Sequence, residues 1–412
     1  MGVFQQEGGI REKWKAMLAV EAEDSDSTGD QHIRMVNSLL RAAVRAGASD
    51  IHIEPWRREA YRVRLRTDGL LGDFRVLDRH QDEGVVGRLR VLGQMDIAEN
   101  RAPADGSFSR AIDGRTVSFR LAQMPTVWGL KLAVRILDDR RFGKRLEDLG
   151  LKPEECLRLK ALLAEKSGML LVAGPTGSGK TTTLYSMLEA LDKKRLNIVT
   201  IEDPVEYRIP GINQTEVTGR GGLDFSGGLR ALLRQDPDVI LLGEIRDEIT
   251  AVTAAQAAVT GHLVLSTVHT GRAASAVSRL KNMGVPPYLL ASGLKGVLSQ
   301  RLLGRLCPHC RAPLAKEDQK EFAGLLGEAS ATLYAARGCE HCGGRGTLGR
   351  QAFFELMTVD SELREALFKE SSALEALACR RGMRPLDKAV RRAILAGEID
   401  AREGRLVMKD GL

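Results

Sequence analysis

Residues Gly174 to Thr181 read G-x-x-x-x-G-K-T, a spacing suited to holding phosphate groups. Glycines at 174, 177 and 179 let backbone N–H groups turn inward, and a helix starting near Lys180 adds its positive end. Lys180 supplies a point charge, and the Thr181 hydroxyl suits a magnesium ion. Pro175, Thr176, Ser178 and Thr182 complete the loop. A second group of residues suits metal chemistry. Cys307-x2-Cys310 and Cys339-x2-Cys342, 28 residues apart, make a four-thiolate pattern. Soft ligands in a complete set favour a closed, structural zinc site that needs neither His309 nor His341. Carboxylates form a third group. Glu244 ends the apolar run VILLGE, and Glu202, Asp203 and Glu206 cluster at the end of another strand. A carboxylate at such an edge holds a metal shell or orients water. His262 and His269 flank a further strand, and seven residues of regular strand would point them to opposite faces.

These residues need elements to position them. Met169–Ala173 is apolar and short, a buried strand. TTTLYSMLEAL after the loop is a helix with Leu184, Met187, Leu188 and Leu191 on one face. Strands at 198–202, 239–244 and 262–270 alternate with helices at LRALLRQ and 247–259, a doubly wound α/β pattern. The Gly-rich stretch 217–228 is expected to be a mobile loop. Upstream, residues 31–137 read as a small α/β domain. Ile33, Val36, Leu40 and Val44 make a helix stripe stopped at Gly47, and Ile51–Glu54 is a strand ended by Pro55. Tyr61, Val63 and Leu65 alternate with Arg62, Arg64 and Arg66, a half-buried strand with a basic, solvated face. Further strands cover 70–77 and 130–137, a helix lies near 85–92, and Asp113-Gly114 marks a hairpin. Residues 1–30 read as a poorly ordered tail, in which 10–20 has the spacing of a short amphipathic helix that would otherwise serve as a docking peptide for a partner, and 138–150 reads as a charged linker.

A chain of 412 residues exceeds one ordinary core. No apolar run approaches the ~18–20 residues of a membrane span, and the first residues do not read as a secretory signal, so the cytoplasm is the expected compartment. The net charge of +7 suits a nucleic-acid motor, a nucleotide enzyme rich in arginine or a protein working near anionic lipid, and does not decide among them. Only 4% of residues are aromatic, and no aromatic-plus-basic module marks a nucleic-acid surface.

Taken in order, these motifs resemble the hexameric secretion ATPases of type II secretion and type IV pilus assembly. ASDIHIEP (48–55) with RLRTDG (64–69) is similar to that family's N-terminal domain. GPTGSGKTTT is similar to its Walker A loop, TIEDPVEY (200–207) to its acidic box, and LRALLRQDPDVILLGEIRD (229–247) to its Walker B region. TGHLVLSTVHT (260–270) resembles its histidine box, and the two C-x-x-C pairs its tetracysteine motif. The resemblance implies a RecA-like P-loop ATPase core preceded by a small α/β domain, with a zinc-binding insertion and a helical C-terminus. The implied segments are 1–30, 31–137, 138–150, 151–305, 306–350 and 351–412. The cofactors implied are ATP, Mg2+ and Zn2+. In the implied site Lys180 and Thr181 bind phosphate and Mg2+, Glu202 is the acidic-box base, Glu244 the Walker B glutamate, and His262 and His269 the histidine pair. Arg120 and Arg135 match on the N-terminal side, and Arg230, Arg234, Arg246 and Arg279 on the other.

The resemblance also implies a homo-hexamer, peripheral to the inner membrane, that drives a membrane platform protein so that pilin-like subunits join a filament. A membrane-anchored docking protein is a further implied partner, and nucleic acid is not. The tetracysteine motif favours assembly or secretion over retraction. Leu130, Ile249 and Gly271 depart from the family pattern. Two rival readings stay open: a DNA-handling motor, and a degenerate regulatory member that binds ATP without useful turnover. Whether Glu202 or Glu206 activates water also stays open.

Overall fold

The computed structural model describes residues 31–57, 60–137, 143–217, 222–326, 331–369 and 373–409. The 1–30 tail with its expected helix, residues 138–142 of the expected linker, and residues 218–221 of the glycine-rich loop lie outside them. The described residues fall into two compact units.

The N-terminal unit is an antiparallel sheet with two helices. In chain order it runs α1 (Gln31–Arg45), β1 (Ala48–Arg57), β2 (Ala60–Thr67), β3 (Leu70–Asp78), α2 (Arg79–Leu92), β4 (Ala104–Ile112), β5 (Arg115–Thr126) and β6 (Gly129–Leu137). The sheet order is β3-β2-β1-β6-β5-β4. The helix stripe of α1 buries Val36, Leu40 and Val44 against Ile51, Ile53, Phe119, Leu132 and Val134. Alternation sends the intervening residues to the other face. Pro55 does not end β1. Pairing to β6 stops at Ile53, so by Pro55 the strand has one neighbour, where a residue without an N–H fits. The basic face of β2 is ion-paired rather than simply solvated. Glu54 meets Arg64 at 2.5 Å and Lys131 at 2.8 Å, and Asp50 lies 3.8 Å from Arg66. Burial pushes the Glu54 carboxyl up, but the Lys131 and Arg64 charges outweigh it and hold the group below its ordinary range.

The larger unit is built on a seven-stranded sheet. Its first elements are α3 (Pro153–Leu163), β7 (Gly168–Ala173), α4 (Lys180–Glu189), β8 (Ile198–Glu202), β9 (Asn213–Glu216), α5 (Phe225–Leu232) and β10 (Val239–Leu242). Then come α6 (Glu248–Val259), β11 (Leu263–Val268), α7 (Ala273–Asn282), α8 (Pro287–Gly293), β12 (Leu294–Leu306) and the short β13 (Ala312–Pro313). The chain closes with α9 (Lys316–Leu326), β14 (Tyr334–Ala335), β15 (Thr347–Thr358), α10 (Ser361–Phe368), α11 (Leu374–Arg380), α12 (Leu386–Leu395) and α13 (Ala401–Lys409).

The sheet order is β15-β12-β7-β11-β10-β8-β9, and β12 through β9 run parallel. Both faces are covered, so β7, β8, β10 and β11 are buried along their whole length. Met169 and Leu171 enter one apolar cluster with the alanines of α6, while Leu170 and Val172 enter another with α3 and α4. Helix α5 begins at Phe225, inside the stretch expected to be loop. Asp224 caps it by accepting from Gly227 N at 2.6 Å. Gly228 lets it lie on β8, because a Cβ there would come within 1.9 Å of Ile201 Cδ1. Residues 351–358, expected to open a helical region, belong instead to β15, and the helices follow Thr358. Among the described residues no helix is long and apolar enough to cross a membrane.

Candidate functional site

The polar residues of the larger sheet gather where its parallel strands end. After Ala173, β7 gives way to the glycine loop, and α4 starts at Lys180. Gly174 is the close approach: a Cβ there would lie 2.4 Å from Ser178 Oγ and 2.7 Å from the Gln300 carbonyl oxygen. Gly179 stands at φ 89°, a left-handed backbone that starts the helix at little steric cost. Lys180 folds back over the loop, and its Nζ donates to the carbonyls of Gly174 at 2.9 Å and Pro175 at 3.0 Å. Burial pulls this ammonium below the ordinary lysine value; Glu244 opposes that shift and Arg301 reinforces it. Pro175, Thr176 and Gly177 are exposed, Ser178 is buried, and Thr181 and Thr182 are half-buried on the first turn of α4.

Glu244 follows the end of β10. Gly243 is fixed on both sides: its N–H donates to Ile201 O at 2.9 Å, and its carbonyl accepts from Thr267 Oγ1 at 2.8 Å. The Glu244 carboxylate pairs with Arg246, and His269 Nε2 stands 3.4 Å from it. Arg246 also lies 3.9 Å from Asp203. The structure therefore brings Lys180, Glu244, Arg246 and His269 to one edge.

Other expected residues lie elsewhere. His262 sits at the opposite end of β11, about 23 Å of strand from His269, with Nδ1 3.1 Å from Ala257 O. Glu202 is 3% exposed and turned inside. Its oxygens accept from Tyr185 OH, from Thr200 Oγ1 at 2.6 Å and from Gln214 Nε2 at 3.2 Å. Burial, and then the Glu202 charge, drive the Tyr185 phenol well above its ordinary value, so it stays a donor. Arg230 and Arg234 are exposed at α5, and Arg279 is exposed on α7. Among the described residues none of these three shares an ion pair with Glu244. Arg120 and Arg135 belong to the N-terminal unit and stand opposite each other in the β5–β6 register. Arg135 Nε reaches Asp50 at 3.3 Å.

The four cysteines do converge. Their sulfurs lie within 4.8 Å of one another, with Cys339 and Cys342 at 3.8 Å. A zinc tetrahedron with bonds of about 2.3 Å has sulfur–sulfur edges of about 3.8 Å, so the donor set fits that ion. Backbone N–H groups of Cys339 and Gly346 point at the Cys342 sulfur at 3.2 and 3.1 Å, as suits a thiolate.

Sequence reasoning missed Tyr185 and Gln300. Tyr185 shares the buried cluster of Leu184, Met187 and Leu188, so it reads as core until its hydroxyl is seen to meet Glu202. Gln300 lies inside the buried run of β12, and the sequence signal is a glutamine within an otherwise largely apolar strand pattern.

Comparison with known proteins agrees with this architecture. The pilus retraction motor PilT, solved with bound ADP, superposes at a TM-score of 0.63 with 26% identity, over 90% of this chain and 95% of that one. Type II secretion system protein E of Klebsiella pneumoniae is 44% identical over 361 residues, 85% of this chain and 71% of that protein. The type IV pilus assembly ATPase PilB of Thermus thermophilus is 45% identical over 359 residues, 86% of this chain and 40% of that one. The family model described as type II/IV secretion system protein matches residues 25–405, and the chain belongs to that family.

Proposed function

We propose that this chain is an ATP-hydrolysing motor that powers assembly of a type II secretion pseudopilus or a type IV pilus. The observation that carries the reading is Lys180 in a G-x-x-x-x-G-K-T loop, beside Glu244, at the carboxyl edge of a parallel sheet. Relatives bearing the names of secretion protein E and pilus assembly ATPase support it. The larger unit is then a RecA-like P-loop core. Lys180 exchanges two carbonyl partners for phosphate oxygens, and the loop N–H groups and the start of α4 hold the same charge. Glu244 orients the attacking water, with His269 and Arg246 setting its position. Glu202 holds the acidic turn in register through Tyr185. Thr181 and Glu244 would hold Mg2+, which when bound offsets the charge on the phosphate oxygens. The four cysteines would hold Zn2+, which ties two chain segments together and takes no part in hydrolysis.

The protomers work as a six-membered ring on the inner face of the membrane. Exposed Arg230, Arg234 and Arg279, with Arg120 and Arg135, supply the cations such an interface places on ATP. The partners are a membrane platform protein and a membrane-anchored docking protein. A nucleic-acid track is not part of the reading, because only 4% of residues are aromatic and no aromatic-plus-basic module marks such a surface.

The test is a pull-down with Glu244→Gln loaded with ATP, from membranes of the cell that makes the protein. Recovery of a polytopic platform protein with secretion or pilus neighbours is expected. Recovery of nucleic-acid proteins without a platform would overturn it.

A further inference from the structure

Gln300 sits where the glycine loop leaves the sheet. The parallel register puts Ser299 opposite Ala173, the last residue of β7, so Gln300 comes next, beside the loop. Its side chain bridges two points of the phosphate site. Nε2 donates to Ser178 O at 2.6 Å, and Oε1 accepts from Thr183 Oγ1 at 2.8 Å. Gln300 is 2% exposed and Thr183 1% exposed, so both bonds are shielded from water. The neighbouring glycine leaves room for this bridge: a Cβ on Gly179 would lie 3.2 Å from Gln300 Nε2.

The bond to Ser178 has a directional consequence. In a trans peptide the carbonyl and the following N–H point opposite ways. Holding the Ser178 carbonyl against β12 therefore turns the Gly179 N–H away from β12. Thr183 ties the same amide to the first turn of α4, so the loop and the helix start are held as one piece.

We propose that Gln300 is a positioning residue that pre-sets the Gly179 N–H, and with it the loop, for a nucleoside di- or triphosphate. The inference rests on the reading of the loop as the phosphate site. Gln300 touches neither the phosphates nor the reacting water. Its loss should weaken ground state and transition state alike, which raises KM and leaves kcat in place.

The test uses the full chain, fluorescent mant-ADP with Mg2+, and steady-state ATP hydrolysis. Gln300→Leu keeps the volume and removes both bonds. It is expected to raise the Kd for mant-ADP and the KM for ATP about tenfold, with kcat within about threefold. Thr183→Val removes only the outer tie and should raise both about threefold. A merely structural role would lower the active fraction, and so kcat, without moving KM; that pattern would overturn the proposal. So would a Gln300→Leu protein with Kd within about twofold of wild type. If Gln300→Leu does not fold, Thr183→Val decides, and an unchanged KM overturns the proposal. A wild-type chain that neither binds mant-ADP nor hydrolyses ATP would instead sink the parent reading, and this one with it.

Discussion

In the larger sheet β7 buries all six of its residues, and β8, β10 and β11 are buried throughout. In the six-stranded sheet β4 alternates half-buried with exposed positions along most of its length. The first arrangement leaves polar chemistry only one place to go, the ends of the strands, and there Lys180, Glu244, Arg246 and His269 meet. The second has a free face, so its charges spread across neighbouring strands as ion pairs between Asp50, Glu54 and the surrounding cations. An edge concentrates a few groups whose removal should be severe. A face distributes many whose removal should be mild.

The sharpest challenge to that contrast is Glu244→Gln. It should keep ATP bound and lower turnover about 10²-fold or more, measured by phosphate release. Normal turnover would mean that the edge does not concentrate the chemistry. Removing metal comes next. Chelation should strip amide protection from residues around Cys307–Cys342, read by hydrogen exchange, with nucleotide affinity unchanged within about twofold. An equal loss of affinity would tie the thiolates to the edge.

Tyr185→Phe removes one donor from the buried Glu202 carboxylate. It should cost about 1–3 kcal/mol in denaturant unfolding, since a charged acceptor loses a partner inside. No measurable loss would show that Thr200 and Gln214 suffice. The smallest effect is expected in the six-stranded sheet. Glu54 has a lowered pKa in the fold, so its stabilising contribution is full above its ordinary value of 4.5 and is lost as pH falls through the lowered value. Glu54→Gln should therefore lower the midpoint of thermal unfolding at pH 7, and that effect should shrink as pH falls below 4.5. A difference that does not shrink at all as the solution is acidified below pH 4.5 would contradict the ion-pair account.

Much of this was legible in sequence because the relevant signals are local. The strand, glycine loop and helix at 168–189 are contiguous, and the Asp113-Gly114 hairpin joins neighbours. What was not legible depends on partners far along the chain. Gln300 reaches Ser178 and Thr183 across more than a hundred residues. Glu202 looks like an exposed strand-end acid until Tyr185, Thr200 and Gln214 close around it. The basic face of β2 looks solvated until its register with β1 brings Asp50 and Glu54 alongside. Pro55 reads as a stop unless the extent of the β1–β6 pairing is known, and Gly228 reads as loop unless Ile201 is seen beneath it. The two histidines flank one strand, yet only His269 lies at the end that carries Glu244.

The most direct test is ATP hydrolysis by the purified chain and its Lys180→Ala variant, followed as phosphate release, with circular dichroism as the control for folding. The account predicts hydrolysis by the wild type and none above background for a folded Lys180→Ala. A folded variant that hydrolyses ATP at the wild-type rate would contradict it.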